Sequence, residues 1–328
     1  MHKQLHSIAM SNEPLHFIWF VPVVTAGVPM PVLRKLPHAV GRCAILRHLE
    51  LNPSTRGMLW IVGVDTRPAI APPLTTMHPM LEVRATTRHE VLNGSLLARW
   101  AVRATEGGRS EACGGAHGQL EPRSGSGSYG DLLRLALLYT HGGTYFDLDE
   151  LPIAPLPAAA LDHDHGSDAS RGWVSEQIGN RITPPFNNAA FAFPPRHACL
   201  RALLEAADAT LRTCRFRTSW GMFGPTLFTK LFDPGWAAAS GARPPVPECK
   251  GVARLRPSVF SPISWQRARS FYRFSPRFNH SWLARQAADG TRALHLFTSN
   301  LGITRSVPKT AEFLQRLRRL GLCGASSV

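Results

Sequence analysis

The sequence predicts an α/β protein built on a mostly parallel sheet. Two strand-like runs, 15–24 and 58–64, flank a stretch from 36 to 51 with helical apolar spacing. A second passage from helix to strand, Asp131 to Phe146, is split by Gly142-Gly143. With 328 residues, 44% apolar and only 18% charged, the chain can bury a sizeable core, as one large domain or two closely packed halves.

The run from Leu15 to Val24 is rich in aromatic and β-branched residues and bounded by prolines, which suits a buried first strand. Val40, Cys43, Ala44, Leu46 and Leu49 then recur at helical spacing until Asn52-Pro53 ends the helix. Met58 to Val64 is a second buried strand, so strand, helix, strand implies parallel pairing. Glu90 to Ala104 is expected to be helical, with Val91, Leu92, Leu96, Leu97 and Trp100 on its apolar side. Gly107 to Ser128 is rich in Gly and Ser and reads as a flexible surface insertion. Further loops are expected at 162–172 and near 241–247.

The net charge of +15 comes from Arg scattered along the chain, a field that favours anionic ligands. Zinc-finger spacing, an aromatic-rich basic repeat and a basic zipper are all missing from the sequence, so a nucleic-acid partner is not expected. A nucleotide diphosphate or peripheral contact with an anionic membrane face suits the same charge. Six cysteines stand apart without a C-x-x-C pair, which argues against a zinc ribbon and leaves disulfides open. Asn93-Gly94-Ser95 and Asn279-His280-Ser281 would fit a secretory lumen without settling the compartment. The first 24 residues hold no apolar run of the roughly 18 residues that a membrane span needs. The expectation is a soluble polypeptide with neither signal peptide nor membrane anchor.

The chemistry concentrates between the first two loops. Asp131 to Thr140 is helical by spacing, Gly142-Gly143 is its stop, and the short strand Thr144-Tyr145-Phe146 delivers Asp147 and Asp149 to its C-terminal end. That end of a parallel strand is where α/β sheets bind ligands. Two carboxylates at i and i+2 on extended backbone crowd each other, and a divalent cation is the simplest partner. Oxygen ligands suit Mg2+ or Mn2+.

The string Asp131-x-x-Arg134, helix, Gly142-Gly143-x-Tyr145-x-Asp147-x-Asp149 resembles the donor-binding signature of the DXD sugar-transferase superfamily, which includes glycosyltransferase family 32 and the glucosylating bacterial toxins. Gly130 stands where a Ser usually precedes the first Asp. His16-Phe17-Ile18-Trp19, Cys43 to Pro53, Leu97 to Trp100, Asn187 to Phe193, Phe223 to Thr229, Ser261 to Trp265 and Ala293 to Phe297 follow in family order. They look most like the α-1,4-glycosyltransferase branch, in which Phe297 here replaces a usual Trp.

The resemblance implies a GT-A fold, Rossmann-like with a mostly parallel central sheet flanked by helices, forming one catalytic domain over 1–328. Its nucleotide-sugar half would be 12–157, with the insertion 107–128, and its acceptor side 173–328. It implies a UDP-sugar donor, Mn2+ or Mg2+, a glycan or glycolipid acceptor, retention of anomeric configuration, a part in glycolipid biosynthesis and a Golgi lumen. Asp131 and Arg134 would hold the sugar, Tyr145 would line its pocket, Asp147 would contact ribose and sugar, and Asp149 would coordinate the metal. Trp19, beside Phe17, would stack on the uracil base, unless it is simply core. Asn188 and Gly224 would border the acceptor side, or serve ordinary turns. His295 would complete the metal site or play a structural part. For Arg134, ion-pair partner and sugar ligand are both open.

Two other classes compete. Tyr145 to Leu151 also resembles the Asp-x-Asp strand of haloacid-dehalogenase-like phosphohydrolases, but Glu150-Leu151 stands where that family wants Gly-Thr. A non-catalytic sugar-binding descendant of the transferase fold is the third reading. Asp162-His163-Asp164-His165 is read as a solvated loop, because adjacent side chains rarely converge on one ion.

Overall fold

The computed structural model describes residues 14–20, 37–63, 70, 72–98, 100, 127–156, 172–179, 184–213, 221–233, 246–272, 277–298 and 307–324. Among the described residues nine strands form the sheets: β1 (Leu15–Phe20), β2 (Gly57–Gly63), β3 (Leu81–Thr87), β4 (Gly143–Phe146), β5 (Glu150–Pro152), β6 (Trp173–Glu176), β7 (Phe186–Phe193), β8 (Ala253–Leu255) and β9 (Ala293–His295). Seven form the central sheet in the order β3-β2-β1-β4-β7-β6-β8. β3, β2, β1 and β4 run parallel, β7 runs antiparallel to β4 and β6, and β6 pairs with β8 in parallel. The expected α/β architecture is present, a mostly parallel sheet flanked by helices.

β2, with the sequence GMLWIVG, is buried along its whole length, as expected of a strand covered on both faces. Phe17, Leu59 and Ile61 pack with Ile45 and Leu49 of helix Ala39–Leu51 on one face. Ile18, Met58, Trp60 and Val62 meet helices Gly127–His141 and Ala198–Arg212 on the other. A third cluster joins Val40, Cys43, Leu151, Leu294 and Leu296 to the C-terminal helix Val307–Arg319 through Phe313, Leu314 and Leu317. Among the described residues no helix is long and apolar enough to cross a membrane.

Several expectations change in detail. The helix expected from Glu90 to Ala104 is interrupted: a short helix, Arg88–Asn93, opened by a Thr87/Glu90 capping box, stops at Gly94, helical backbone returns at 98 and 100, and residues 99 and 101–104 lie outside the described ones. Glycine is a poor helix former, and Ser95 Oγ bonds the Leu92 carbonyl at 2.8 Å, competing with helix continuation. β3 was not anticipated, because LEVRATT carries charges on its exposed stretch. The helix before β4 begins at Gly127, so the last two residues of the expected insertion are helical. The remainder of that insertion, the loop 162–171 and most of 241–247 lie outside the described residues.

Four cysteines pair. Cys43 bonds Cys323 across a sequence separation of 280, with Cα atoms 5.4 Å apart. Cys199 bonds Cys249 with Cα atoms 4.7 Å apart. Cys113 and Cys214 lie outside the described residues.

Candidate active site

The site begins at a glycine turn. Helix Gly127–His141 ends where Gly142 (φ 66°) and Gly143 (φ 95°) take left-handed backbone. A side chain at either would collide with backbone, since its Cβ would lie 2.7 Å from Pro195 N at Gly142 and 2.4 Å from Pro14 O at Gly143. Two glycines therefore let β4 start immediately and deliver Asp147 to the C-terminal end of the parallel strands. The Asp147 amide bonds the Ala189 carbonyl at 2.7 Å, which fixes the exit from the strand.

β5 follows at once and pairs antiparallel with β9, setting Glu150 opposite His295 and Leu151 opposite Leu294. This pairing brings a distant C-terminal segment to the two aspartates. Asp147, Asp149 and His295 each offer one ligand atom, and the three atoms lie within 4.8 Å of one another. Ligands about 2.1 Å from a shared ion stand roughly 3 to 4 Å apart, so two carboxylates and one imidazole at this spacing suit a divalent cation such as Mn2+ or Mg2+. Burial pushes the His295 imidazole below its ordinary pKa against the pull of Asp149 and Asp147, favouring the neutral ring that a metal requires.

Each carboxylate is aimed by its own partners. Thr298 donates to Asp149 Oδ2 from both its amide, at 2.8 Å, and its hydroxyl, at 3.0 Å. Oδ1 is left facing His295 Nε2 at 3.6 Å. Phe297, at a positive φ of 51°, turns the chain that places Thr298 and stacks on the His295 ring with centroids 3.9 Å apart. Tyr145 donates to Asp147 Oδ1 at 2.7 Å, and Arg134 Nη1 meets the two oxygens of Asp147 at 3.0 and 3.1 Å.

Arg134 binds more than Asp147. Its Nη1 also donates to the Asn188 carbonyl at 2.7 Å, its Nε donates to the Gly130 carbonyl at 3.3 Å, and its guanidinium lies 4.8 Å above the Tyr145 ring. Burial would lower its pKa, but Asp147, Tyr145 and Asp131 outweigh it and hold the group charged. Asn188 in turn donates to Asp131 Oδ1 at 2.7 Å. A Cβ on Gly224 would fall 2.5 Å from the Asn188 amide nitrogen and 2.6 Å from Asp131 Cγ, so only glycine leaves space for that pair. Burial lifts Asp131 from 3.8 to about 6, although Arg134 and Asn188 pull the other way. Asp147 is likewise raised by burial against Arg134.

Of the residues read from the sequence, Asp131, Arg134, Tyr145, Asp147, Asp149, Asn188, Gly224 and His295 are brought into one connected network. Trp19 is half-buried near the end of β1, edge-on to His38 at 5.8 Å, and its indole N–H has no partner among the described residues. Phe17 is not brought there: its side chain is fully buried in the core against the stacked rings of His48 and Phe146. Four neighbours escaped the sequence reading. They are Thr298, Asn187, Glu150 and His38, whose ring feels the charge of Asp149. The one local signal was Glu150, a charged residue in an otherwise apolar strand.

Residues 125–167 match the family described as the glycosyltransferase sugar-binding region containing the DXD motif. The chain is 26% identical over 146 residues to human (Homo sapiens) lactosylceramide 4-alpha-galactosyltransferase, covering 43% of this chain and 34% of that protein. It is 26% identical over 159 residues to human alpha-1,4-N-acetylglucosaminyltransferase, covering 46% and 40%. Against the Rattus norvegicus lactosylceramide 4-alpha-galactosyltransferase it is 22% identical over 248 residues, covering 73% and 58%. The chain thus spans between about a third and three fifths of these relatives. Among solved structures it is similar to the PaToxG glycosyltransferase, at a TM-score of 0.40 and 12% identity over 70% of this chain and 72% of that one.

Proposed function

We propose that this protein is a metal-dependent glycosyltransferase that moves a hexose or N-acetylhexosamine from a UDP-sugar to a glycan or glycolipid acceptor, with retention of configuration. The observation that carries the proposal is the convergence of Asp147, Asp149 and His295 at ligand spacing, beside the buried network of Asp131, Arg134 and Asn188. The similarity to two α-1,4-transferases supports the transferase class and a donor of galactose or N-acetylglucosamine type.

In this reading Asp149, His295 and Asp147 would hold the cation, and Asp147 would also serve the sugar. A bound Mn2+ or Mg2+ would supply Lewis acidity to the departing diphosphate. Asp131 accepts hydrogen bonds from sugar hydroxyls, and Arg134 keeps Asp147 and the Asn188 backbone in place while presenting positive charge to the donor. Tyr145 fixes Asp147 from below. Trp19 offers its half-buried face to the base and its unpartnered N–H to a polar group of the nucleotide. The half ending at 157 would hold the donor and the half from 173 the acceptor. The two disulfides support an oxidising compartment such as the Golgi lumen. Phosphohydrolase chemistry fits less well, because Asp147, its would-be nucleophile, already accepts bonds from Arg134 and Tyr145.

A donor screen tests this. Purified protein would be given UDP-galactose, UDP-N-acetylglucosamine or UDP-glucose with Mn2+ and a lactose-terminated acceptor, and UDP release and the new linkage followed. One donor should be consumed with an α-linked product. Hydrolysis of phosphomonoesters with no UDP-sugar consumed would overturn the proposal.

A further inference from the structure

Glu150 is the most anomalous side chain outside the set described so far. It is completely buried, yet among the described residues neither of its carboxylate oxygens has a hydrogen-bond partner. Burying a carboxyl without partners costs several kcal/mol, and its neighbours Leu148 and Leu151 are apolar, so packing alone would place an apolar residue here. Its register explains what it faces. Glu150 lies directly opposite His295 in the β5–β9 pair, and its Oε1 is 3.6 Å from His295 Nδ1.

The two nitrogens of His295 look in different directions. Nε2 faces Asp149 Oδ1 on the side of the ligand cluster, whereas Nδ1 faces Asn187 and Glu150. A neutral imidazole that gives its Nε2 lone pair to a cation carries its proton on Nδ1, and that proton needs an acceptor. Asn187 cannot supply it. Its Oδ1 already accepts from the Ala189 amide at 2.9 Å, which leaves the Nδ2 donor 2.9 Å from His295 Nδ1. Of the described groups facing Nδ1, Asn187 and Glu150, only Glu150 offers an acceptor.

We propose that Glu150 is a positioning residue for His295: its carboxyl oxygen accepts a hydrogen bond from Nδ1–H when Nε2 binds the cation, and Asn187 donates to Nδ1 in the opposite tautomer when the cation has left. The inference rests on the metal reading above. It accounts for the buried, unpartnered carboxyl as a group held for a hydrogen bond that the metal-bound ring makes. Stacking of Phe297 on the ring keeps the exchange within the ring plane, so a small rotation toward Glu150 suffices. Glu150 itself stays outside the ligand set, because the three convergent atoms belong to Asp147, Asp149 and His295.

The test is Mn2+ affinity of the purified full chain without donor, measured by calorimetry or by loss of the free Mn2+ paramagnetic signal. Glu150→Leu should weaken binding about 10- to 100-fold, the usual cost of losing a carboxylate behind a ligating histidine. The same variant should melt at a higher temperature without metal, since an unpaired buried carboxyl has gone. Glu150→Gln keeps an acceptor and should fall between wild type and Leu. If Glu150→Leu does not fold, the Gln variant alone decides. Mn2+ affinity within about twofold of wild type in the folded variant overturns the inference. Failure of the metal reading looks different: wild type would not bind Mn2+, or His295→Ala would bind it as well as wild type.

Discussion

Replacing Asp131 by Asn should make the protein more stable at neutral pH and inactive at once. The Asp131 carboxyl is lifted from 3.8 to about 6, chiefly by burial. Because the folded-state pKa is raised, the folded protein prefers the protonated acid. The contribution to stability is full below the unfolded value near 3.8 and is lost as pH rises through about 6. A shift of about two units corresponds to on the order of 3 kcal/mol, felt in full at about pH 8. Asn cannot ionise, and its Oδ1 can still accept from the Asn188 side chain, which now reaches Asp131 at 2.7 Å. Urea unfolding of both proteins from about pH 4 to pH 8 measures the difference. The gap should open in favour of Asp131→Asn as pH rises and close at the acid end, while UDP release from a nucleotide sugar is lost throughout. A variant that is less stable at pH 8, or a gap that does not change with pH, would show that Arg134 compensates the ionised carboxylate fully and that the burial argument is wrong.

Arg134→Lys retains charge but not the fork that reaches Asp147, the Asn188 carbonyl and the Gly130 carbonyl. It should lose roughly 1.5 to 3 kcal/mol of stability along with most turnover, and an unchanged melting temperature would mean those bonds carry little. Gly224→Ala puts a methyl 2.5 to 2.6 Å from Asn188 and Asp131, so the pair must separate at a cost of about 1 to 3 kcal/mol. Turnover should fall much further than the melting temperature indicates, and near-normal kinetics would show that the pair can move freely. Removing the Cys43–Cys323 bridge with Cys43→Ser/Cys323→Ser should cost about 2 to 5 kcal/mol, because the bond closes a very long loop. The matching check is that the gap in melting temperature between wild type and variant is present without reductant and closes in dithiothreitol, which opens Cys43–Cys323 in wild type alone and Cys199–Cys249 in both.

The parts legible in the sequence were those with local causes. Leu15 to Ile18 is an unbroken buried run within a short aromatic and β-branched stretch, and Gly142-Gly143 marks the turn that sets Asp147 at the strand end, so the strand, the stop and the paired carboxylates could all be read along the chain. Residues joined by long-range pairing were harder. That Glu150 faces His295 depends on β5 meeting β9, and that Thr298 holds Asp149 depends on the left-handed turn at Phe297. Neither leaves a periodic trace. Phe17 shows the reverse error: it sits two residues before Trp19, but the alternation of a strand takes side chains to a core whose depth changes along the strand, and Phe17 lies at the deep end. The cysteines could be counted but not paired, because Cys43–Cys323 depends on how helix Ala39–Leu51 meets the C-terminal segment and Cys199–Cys249 on how helix Ala198–Arg212 meets the turn at 247–249.

The most direct measurement is UDP release from the preferred nucleotide sugar by wild type and Asp149→Asn, each in Mn2+ and in excess chelator. Asp149 is held by Thr298 through Oδ2 and offers Oδ1 toward His295, so Asn at this position keeps the fold while removing the charge that a cation needs. The expected result is release by wild type in Mn2+ alone, with the other three combinations near background and both proteins melting at similar temperatures. Full release by wild type in chelator, or by folded Asp149→Asn in Mn2+, would contradict a metal-dependent transferase centred on Asp147, Asp149 and His295.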